Sequence, residues 1–518
     1  MPADSIRVAF RADASLAIGT GHVMRCLTFA EALQKRGADI LFVCREHRAH
    51  LCDLIVDRGF SLFRLPAPRP EWTPGEDGPA HALWLGTDWQ NDAEETARTI
   101  GDFHPDWLVV DHYGLDARWQ SALRRCADKI MVIDDLADRP HDCDILLDQN
   151  LVARRDVRYV GKVPPHCTLL LGPRYALLQP DYVHLRRRAT VREGPLRRLL
   201  VSFGGVDRAG LTQKTIEALL KLRRPDIAAD IVLSSASPQF TEVERLVAGH
   251  TELRLCDRVP SLAPLMLAAD LAIGAGGATS WERLCLGLPS VVISLAKNQH
   301  PISSELARRG LARWLGHWDA VDGTVIHDAL ASLAETGLDP TWSKKCLNVV
   351  DGYGVERVFA VLIARADMPI AVRHAELADE ALVLEWVNDA ATRLNAFSAK
   401  PIAAKEHHAW FRMRVRDSER CVFYIAEIAS GIPLGQVRFD KRGKEWEISY
   451  AVAPIFRGRG MGWAMLAAAI ERLRQEKGHV VLVAQVKPQN TASRRIFEKL
   501  GFLVRSSEPD RYVYELAF

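Results

Sequence analysis

Short apolar runs and stretches of helical periodicity succeed one another along the chain, and the opening residues set the pattern. In "IRVAFRAD" the apolar run reads as a strand, Gly19 and Gly21 make a turn, and Val23, Leu27, Ala30 and Leu33 then recur at helical spacing. Gly37 stands where a C-cap belongs and "ADILFVCR" reads as a second strand, so the opening predicts a βαβ unit. The runs "DWLVVDHY", "KIMVIDDL", "CDILLDQN" and "CTLLLG" end in acidic, polar or glycine residues. In an open parallel sheet such ends gather on the carboxyl edge, where ligands bind. That nominates Asp111, His112, Tyr113, Asp134 and Asp135 as cleft residues, with turn formation as the alternative for each.

A basic, proline-containing connection around residues 185–195 is followed by a second rhythm of the same kind: "RRLLVSFGGVD", "ADIVLSS", "ELRLCDRV", "DLAIGAGG" and "PSVVISL". Two successive α/β halves, residues 1–185 and 195–365, predict two Rossmann-like domains facing each other across a cleft. The helical "GYGVERVFAVLIARAD" closes the second. From residue 369 to 518 the order changes to a helical "DEALVLEWVNDAATRLNAF", the strands "CVFYIAEIAS", "IPLGQVRF" and "EWEISYAVA", a glycine-rich turn and another helix, which predicts an α+β third domain.

Composition narrows the function classes. The 518 residues are 48% hydrophobic and 25% charged, ample for several cores. A net charge of +2 carries no nucleic-acid footprint, and the basic run at Arg186, Arg187 and Arg188 reads as solvated linker. Ten cysteines without a Cys-x-x-Cys pair suggest reduced thiols in a cytoplasmic protein and offer no zinc spacing, so no metal is expected. The chain opens directly into a strand pattern, without a signal peptide, and no apolar stretch reaches the ~20 residues of a membrane span. Small molecules, not nucleic acid or membrane, are the expected partners, and no feature sets an oligomeric state.

The second half carries phosphate-binding signals. "GAGGATSWERLCLGLP" places Gly274, Gly276 and Gly277 between a strand and a helix, where backbone amides and the helix dipole can hold a diphosphate. Thr279 and Ser280 add hydroxyls, and Glu282 can accept from ribose hydroxyls. "SFGGVD" supplies a second turn at Gly204 and Gly205. The alternative is that these are close-packing turns without a ligand.

With these segments the chain resembles the nucleotide half of GT-B proteins. Its opening "RADASLAIGTGHVMRCLTFA" resembles the UDP-sugar hydrolases of pseudaminic acid biosynthesis, over residues 6–365, together with "LGPRYALL", "GAGGATSWE" and the pair Asn298 and Gln299. The resemblance implies that His22, in the Gly-x-Gly-His position, is the catalytic base of a metal-independent inverting hydrolysis. It implies substrate contacts at Gly19, Gly21, Asp111, Tyr113, Tyr175, Asn298 and Gln299, and at Arg11 and Asp13, which share the motif and hold sugar hydroxyl or acetamido groups or else orient His22. UDP would be held by Gly204, Gly205, Gly276, Gly277, Thr279, Ser280 and Glu282, with the backbone of Arg258 and Val259 at the uracil. A helix N-terminus disfavours an imidazolium, which suits a base that must accept a proton.

In the last domain "ISYAVAPIFRGRGMGWAMLAAAIERL" is strand, loop and helix, and "VKPQNTASRRIFEKLGF" follows. Together they resemble the GCN5-related N-acetyltransferases. The resemblance implies that acetyl-CoA is a cosubstrate held at Val452, Arg457, Gly458, Gly460, Gly462, Asn490 and Ser493. Four residues after Ser493, many members carry a tyrosine that protonates the leaving thiolate, and this chain has Phe497. Either another group takes that role, with Tyr512 and Tyr514 as substitutes to consider, or solvent does; Glu445 and Glu447 are candidates to pass on the amine's proton or are solvent-facing charges. The segment 384–411 resembles the acceptor side of the acetyltransferase of the same pathway, with Trp386, Asn388, Arg393, His407 and Trp410 as acceptor contacts or packing residues. The expectation is a bifunctional nucleotide-sugar enzyme. Its competitors are a glycosyltransferase using a UDP-sugar donor and a protein N-acetyltransferase regulated by a nucleotide sugar.

Overall fold

The computed structural model describes residues 5–69, 71–204, 207, 209–257, 259–365, 367–428 and 431–517. The expected contacts Gly205 and Arg258 lie outside the described residues. The chain divides into two compact units, Met1–Val355 and Glu356–Phe518.

The first unit holds two parallel sheets. One is built from β1 (Arg7–Ala12), β2 (Asp39–Arg45), β3 (Ser61–Leu65), β4 (Trp107–Asp111), β5 (Lys129–Ile133), β6 (Ile145–Asp148) and β7 (Thr168–Leu171), in the order β3-β2-β1-β4-β5-β6-β7. The other contains β8 (Arg198–Ser202), β9 (Ala228–Val232), β10 (Leu253–Cys256), β11 (Leu271–Ala275), β12 (Ser290–Ser294) and β13 (Arg313–His317), in the order β10-β9-β8-β11-β12-β13. The central strands are buried throughout because helices cover both faces: every residue of β4 and β12 is buried, the terminal Asp111, Ser290 and Ser294 included. These are the two expected Rossmann-like sheets. Each reverses its strand order once, between β1 and β4 and between β8 and β11, and the carboxyl ends at such a reversal splay to leave a crevice.

The segments on either side of β7 reach the second sheet's layers. Leu151, Val152, Ala176, Leu178 and Tyr182 share a core with Leu200, Ala263 and Trp281 of the second sheet's layers, while Arg186 donates to the Cys285 and Leu347 carbonyls. Gly354 is essential to this contact, since a Cβ there would collide with the Ala176 carbonyl oxygen.

The second unit is one mixed sheet: β14 (Ala371–His374), β15 (Cys421–Ile428), β16 (Ile432–Arg442), β17 (Glu445–Val452), β18 (Val481–Val486), β19 (Leu503–Ser507) and β20 (Tyr512–Ala517), ordered β14-β15-β16-β17-β18-β20-β19. Neighbours run antiparallel except β17 and β18, which are parallel and paired only from Glu445↔Val481 to Ile448↔Ala484. Beyond Ile448 the two strands part. The helical stretch read as one element is two helices, Glu380–Asn388 and Ala390–Asn395, because Asp389 leaves helical geometry to cap the second through Thr392 N–H. The sequence reading did not pick out β3, β13 and β14, nor β18, β19 and β20 at the end of the chain; the first three escaped the apolar-run pattern. Each mixes exposed or half-buried positions into a run of four or five residues, and β13 carries Gly316 at φ 124° beside a register shift.

Candidate active sites

His22 is the second residue of the helix Gly21–Gln34, which starts after β1, while Asp111 ends β4. Because β1 and β4 pair with Ala12 opposite Asp111, the topology delivers the carboxylate under the helix start. His22 Nδ1 lies 2.6 Å from Asp111 Oδ1. A carboxylate only accepts, so Nδ1 carries the proton and Nε2 keeps its lone pair. Arg25, one turn along, grips both oxygens of Asp111, with Nη2 2.7 Å from Oδ1, and reaches Asp135 with Nη1. Burial alone would raise the Asp111 carboxyl, but the charge of Arg25, with His22, holds it well below the usual carboxylate range.

Around the imidazole stand three rings. Tyr113 meets it edge-on at 4.5 Å and donates its hydroxyl to Asp135; Trp84 stacks on Tyr113 at 5.6 Å; His81 lies 4.6 Å from Trp84. His81 and Trp84 come from the β3-to-helix connection, where sequence reading looked for no chemistry. The signal available was "HALW", two aromatic residues in a loop otherwise rich in proline and glycine.

Several expected substrate contacts have other tasks. Arg11 and Asp13 are fully buried: Arg11 joins Asp13 at 2.7 Å and Asp92 at 2.8 Å, and Asp13 also accepts from Arg45 N–H. Both side chains are thus bound to one another and to Asp92 and Arg45, and they brace the end of β1. Asp111 likewise faces His22 and Arg25 and is corrected from substrate contact to positioning residue. His112, also fully buried, is pulled down to about 3 by burial and is therefore a neutral imidazole packed against Asp13. Gly19, at φ 81°, and Gly21 are exposed with open space around them, which leaves the approach to His22 clear. Tyr113 and Tyr175 are buried to 5% exposure.

At the second reversal, Gly204 follows β8 at φ 95° and Gly276 follows β11. A Cβ on Gly274 would collide with the Ser202 carbonyl oxygen, and one on Gly276 with Ser303 Oγ, so these two glycines answer to packing. Gly277 is closed only by Gln299 Nε2 at 3.4 Å, and the Gln299 side chain is itself held by Leu295 N–H. Thus the structure brings Gln299 onto the turn, while Asn298 is exposed beside it. The following helix, Thr279–Cys285, has no side-chain cap, and its Ser280 and Trp281 N–H groups donate to the Gly277 and Ala278 carbonyls of the turn itself. Ser280 is buried and accepts from Arg283, so its hydroxyl supports the turn instead of facing a phosphate. Burial pushes the Glu282 carboxyl up, and the Tyr182 hydroxyl bonded to it opposes that rise. Val259 is half-buried.

In the second unit Gly458 and Gly460 both take φ 74° with nothing within 4 Å of the place a Cβ would occupy, and Gly460 starts the helix Met461–Lys477 without a side-chain cap or an acidic first turn. The loop, with half-buried Val452 before it, fits a diphosphate. Gly462 packs closely, its Cβ position 3.1 Å from Ile496 Cδ1. Arg457 departs from expectation: its guanidinium bonds the Val452 carbonyl, Asp389 and Thr392 Oγ1, tying the loop to a helix cap. Asn490 caps the helix Thr491–Lys499 through Ser493 N–H, and Ser493 Oγ lies 2.8 Å from the Tyr450 hydroxyl. Glu445 pairs with Arg505 and Glu447 with Arg442. On the acceptor side Trp386 and His407 are buried, Asn388 exchanges two hydrogen bonds with the Ile402 backbone, Arg393 donates to backbone carbonyls and Trp410 lies under Arg438.

Residues 370–503 match the family described as acetyltransferase (GNAT) domain. The chain is also 32% identical over 149 residues to the L-methionine sulfoximine/L-methionine sulfone acetyltransferase of Pseudomonas paraeruginosa, which covers 27% of this chain and 85% of that protein. The chain belongs to the GNAT acetyltransferase family. Besides its GNAT domain it is 26% identical over 306 residues to the UDP-2,4-diacetamido-2,4,6-trideoxy-beta-L-altropyranose hydrolase of Campylobacter jejuni, covering 59% of this chain and 97% of that enzyme. MurG from Acinetobacter baumannii shares the fold, with a TM-score of 0.50 at 14% identity over 69% of this chain and 99% of that one. A relative of a UDP-sugar hydrolase is thus fused to a GNAT domain, in a GT-B-like scaffold followed by the α+β sheet. No helix among the described residues is long and apolar enough to cross a membrane.

Proposed function

We propose that the chain is a cytoplasmic bifunctional enzyme of pseudaminic (nonulosonic) acid biosynthesis. Its GNAT domain acetylates the 4-amino group of UDP-4-amino-4,6-dideoxy-β-L-AltNAc with acetyl-CoA. Its first unit then hydrolyses UDP-2,4-diacetamido-2,4,6-trideoxy-β-L-altropyranose to the free sugar and UDP. The observation that carries the hydrolytic step is the His22–Asp111 pair at the reversal of the first sheet.

In that step His22 Nε2 takes a proton from water, the water oxygen bonds to the anomeric carbon from the face opposite the phosphate, and the carbon–oxygen bond to UDP breaks with its electron pair on the diphosphate. Inversion follows from the single displacement. General-base assistance is worth about 10²- to 10⁴-fold, or roughly 3 to 5 kcal/mol of barrier. The positive end of the helix Thr279–Cys285 and the turn at Gly277 stabilise the departing diphosphate without a metal. UDP is held in addition by Gly204 and Gly205, and by Arg258 and Val259. In the GNAT domain the loop Gly458–Gly462 holds the diphosphate of acetyl-CoA, and the acceptor amine attacks the thioester carbonyl.

The test is a two-stage NMR assay with the 4-amino nucleotide sugar, first without and then with acetyl-CoA, on wild type and His22→Ala, with EDTA present and absent. Wild type should acetylate and then release UDP regardless of EDTA, and the variant should stop at the diacetamido nucleotide. Acetylation without UDP release in wild type would point instead to a glycosyltransferase lacking its acceptor. Acetylation of peptides but not of the sugar would point to a regulated protein N-acetyltransferase.

A further inference from the structure

The acetyl transfer leaves a thiolate that must gain a proton, and the position where a tyrosine would supply it is Phe497. Phe497 is 2% exposed and packed edge-on against Tyr450 at 5.9 Å and against Phe502 at 5.0 Å. The two tyrosines that sequence offers in its place are occupied. Tyr514 is fully buried with its hydroxyl on Glu498, and Tyr512 lies beneath the Arg494 guanidinium at 4.1 Å.

Tyr450 is placed differently. It lies on β17 two residues beyond Ile448, the last position paired with β18. From Ser449 to Val452, β17 is hydrogen-bonded to β16 on one side, with no β18 partner on the other. An acyl-pantetheine arm is an extended chain with two amides, and the free edge of a strand is what such a chain can pair with. With its diphosphate on the glycine loop that follows Val452, the arm runs back into the fork between β17 and β18. Its sulfur then comes to the inner end of the fork, where the Tyr450 hydroxyl faces Ser493 Oγ at 2.8 Å.

We propose that Tyr450 is the proton donor to the thiolate leaving group and that Ser493 is the residue that positions it. The amine nitrogen bonds to the thioester carbonyl carbon, the carbon–sulfur bond breaks with its electron pair on sulfur, and the Tyr450 proton passes to sulfur. The phenolate regains a proton through Ser493 from the one released by the acylated nitrogen, so amide and free thiol are the only products. Burial raises the phenol's pKa and the hydrogen bond with Ser493 opposes that rise, which keeps Tyr450 protonated between turnovers. The Ser493 hydroxyl is free for this task because the helix cap uses its backbone N–H, not its side chain.

The proposal rests on the acetyltransferase reading and not on the sugar acceptor. It is tested on the full chain with acetyl-CoA and whichever of two amines wild type acetylates, the 4-amino nucleotide sugar or L-methionine sulfone. If neither is acetylated, the acceptor reading fails, and the second readout below still decides on Tyr450. Tyr450→Phe should lower kcat by about 10²-fold while leaving the KM for acetyl-CoA within about twofold, with Ser493→Ala intermediate. The second readout is the thiolate absorbance of bound CoA against pH, taken as a difference from the desulfo-CoA complex. Wild type should favour the thiolate relative to free CoA, and Tyr450→Phe should abolish that shift. Unchanged kcat, a parallel loss of acetyl-CoA affinity, or an unaltered thiolate titration in Tyr450→Phe would each overturn the assignment.

Discussion

Of the glycine-rich turns that precede helices in this chain, one in each unit makes a pair whose glycines answer to different physics. At Gly274 and Gly276 the backbone is pressed against Ser202 and Ser303, so no side chain fits; the turn is glycine because its neighbours are close. At Gly458 and Gly460 there is open space, and the glycines are there because the chain takes φ 74° twice. Both helix starts lack a side-chain cap. A glycine count before a helix therefore marks a possible anion site in both places, but the reason for each glycine predicts what its replacement does. The side chains proposed for the chemistry stand elsewhere: His22, bonded to Asp111, belongs to the other sheet of the first unit, and the hydroxyls of Tyr450 and Ser493 face each other in the second.

The largest expected effect separates chemistry from cradle. Asp111→Asn keeps the shape but no longer fixes His22 with Nδ1 protonated, and UDP release should fall by roughly 10²- to 10⁴-fold while acetylation is unchanged. A paired loss of both activities would show that the variant had damaged more than the base. Next comes the packed turn. Gly276→Ala should destabilise the first unit by about 1–3 kcal/mol through overpacking, read as a lower midpoint in thermal melts, and adding Ser303→Ala should recover most of it. Failure of the second substitution to rescue would remove the packing explanation.

For the open loop, Gly460→Ala should cost about 1–2 kcal/mol for the left-handed conformation, and Gly460→Asn should be milder. Both should raise the KM for acetyl-CoA without touching UDP release. The smallest effect appears only in acid. Burial works to raise Asp134, but Arg139, His141 and the Ala137 N–H together hold it well below the ordinary carboxylate value. A depressed native pKa contributes stability above the unfolded value of about 4 and loses it as pH falls further, with a slope of at most about 1.4 kcal/mol per pH unit for one proton. Melts of Asp134→Asn between pH 6 and pH 3 should show a shallower acid limb than wild type, from a lower plateau.

Much of the architecture was legible in one sequence because the central strands of parallel sheets are buried on both faces and read as unbroken apolar runs. β1, β4, β8 and β11 were found that way, and with them both turns. The edge and short strands β3, β13 and β14 were not, since half-buried positions dilute the pattern. Among the candidate site residues, local motifs pointed to His22, Gly458, Gly460, Asn490 and Ser493, where a turn and the helix after it carry the signal.

Roles were another matter. Arg11, Asp13 and Asp111 look alike as polar residues at strand ends, yet only their burial against Asp92, Arg45, Arg25 and His22 makes them supports for the site. Arg457 sits in a loop motif, and its three partners are what turn it into a tie. His81 and Trp84 come to His22 from another segment, and Ser493 to Tyr450, across contacts that no spacing along the chain encodes. The sequence by itself determined which strands and helices form, because periodicity and glycine are local properties. Only the tertiary structure decided which polar group faces a substrate and which is bound to another, because that depends on what distant segments bring within hydrogen-bonding distance.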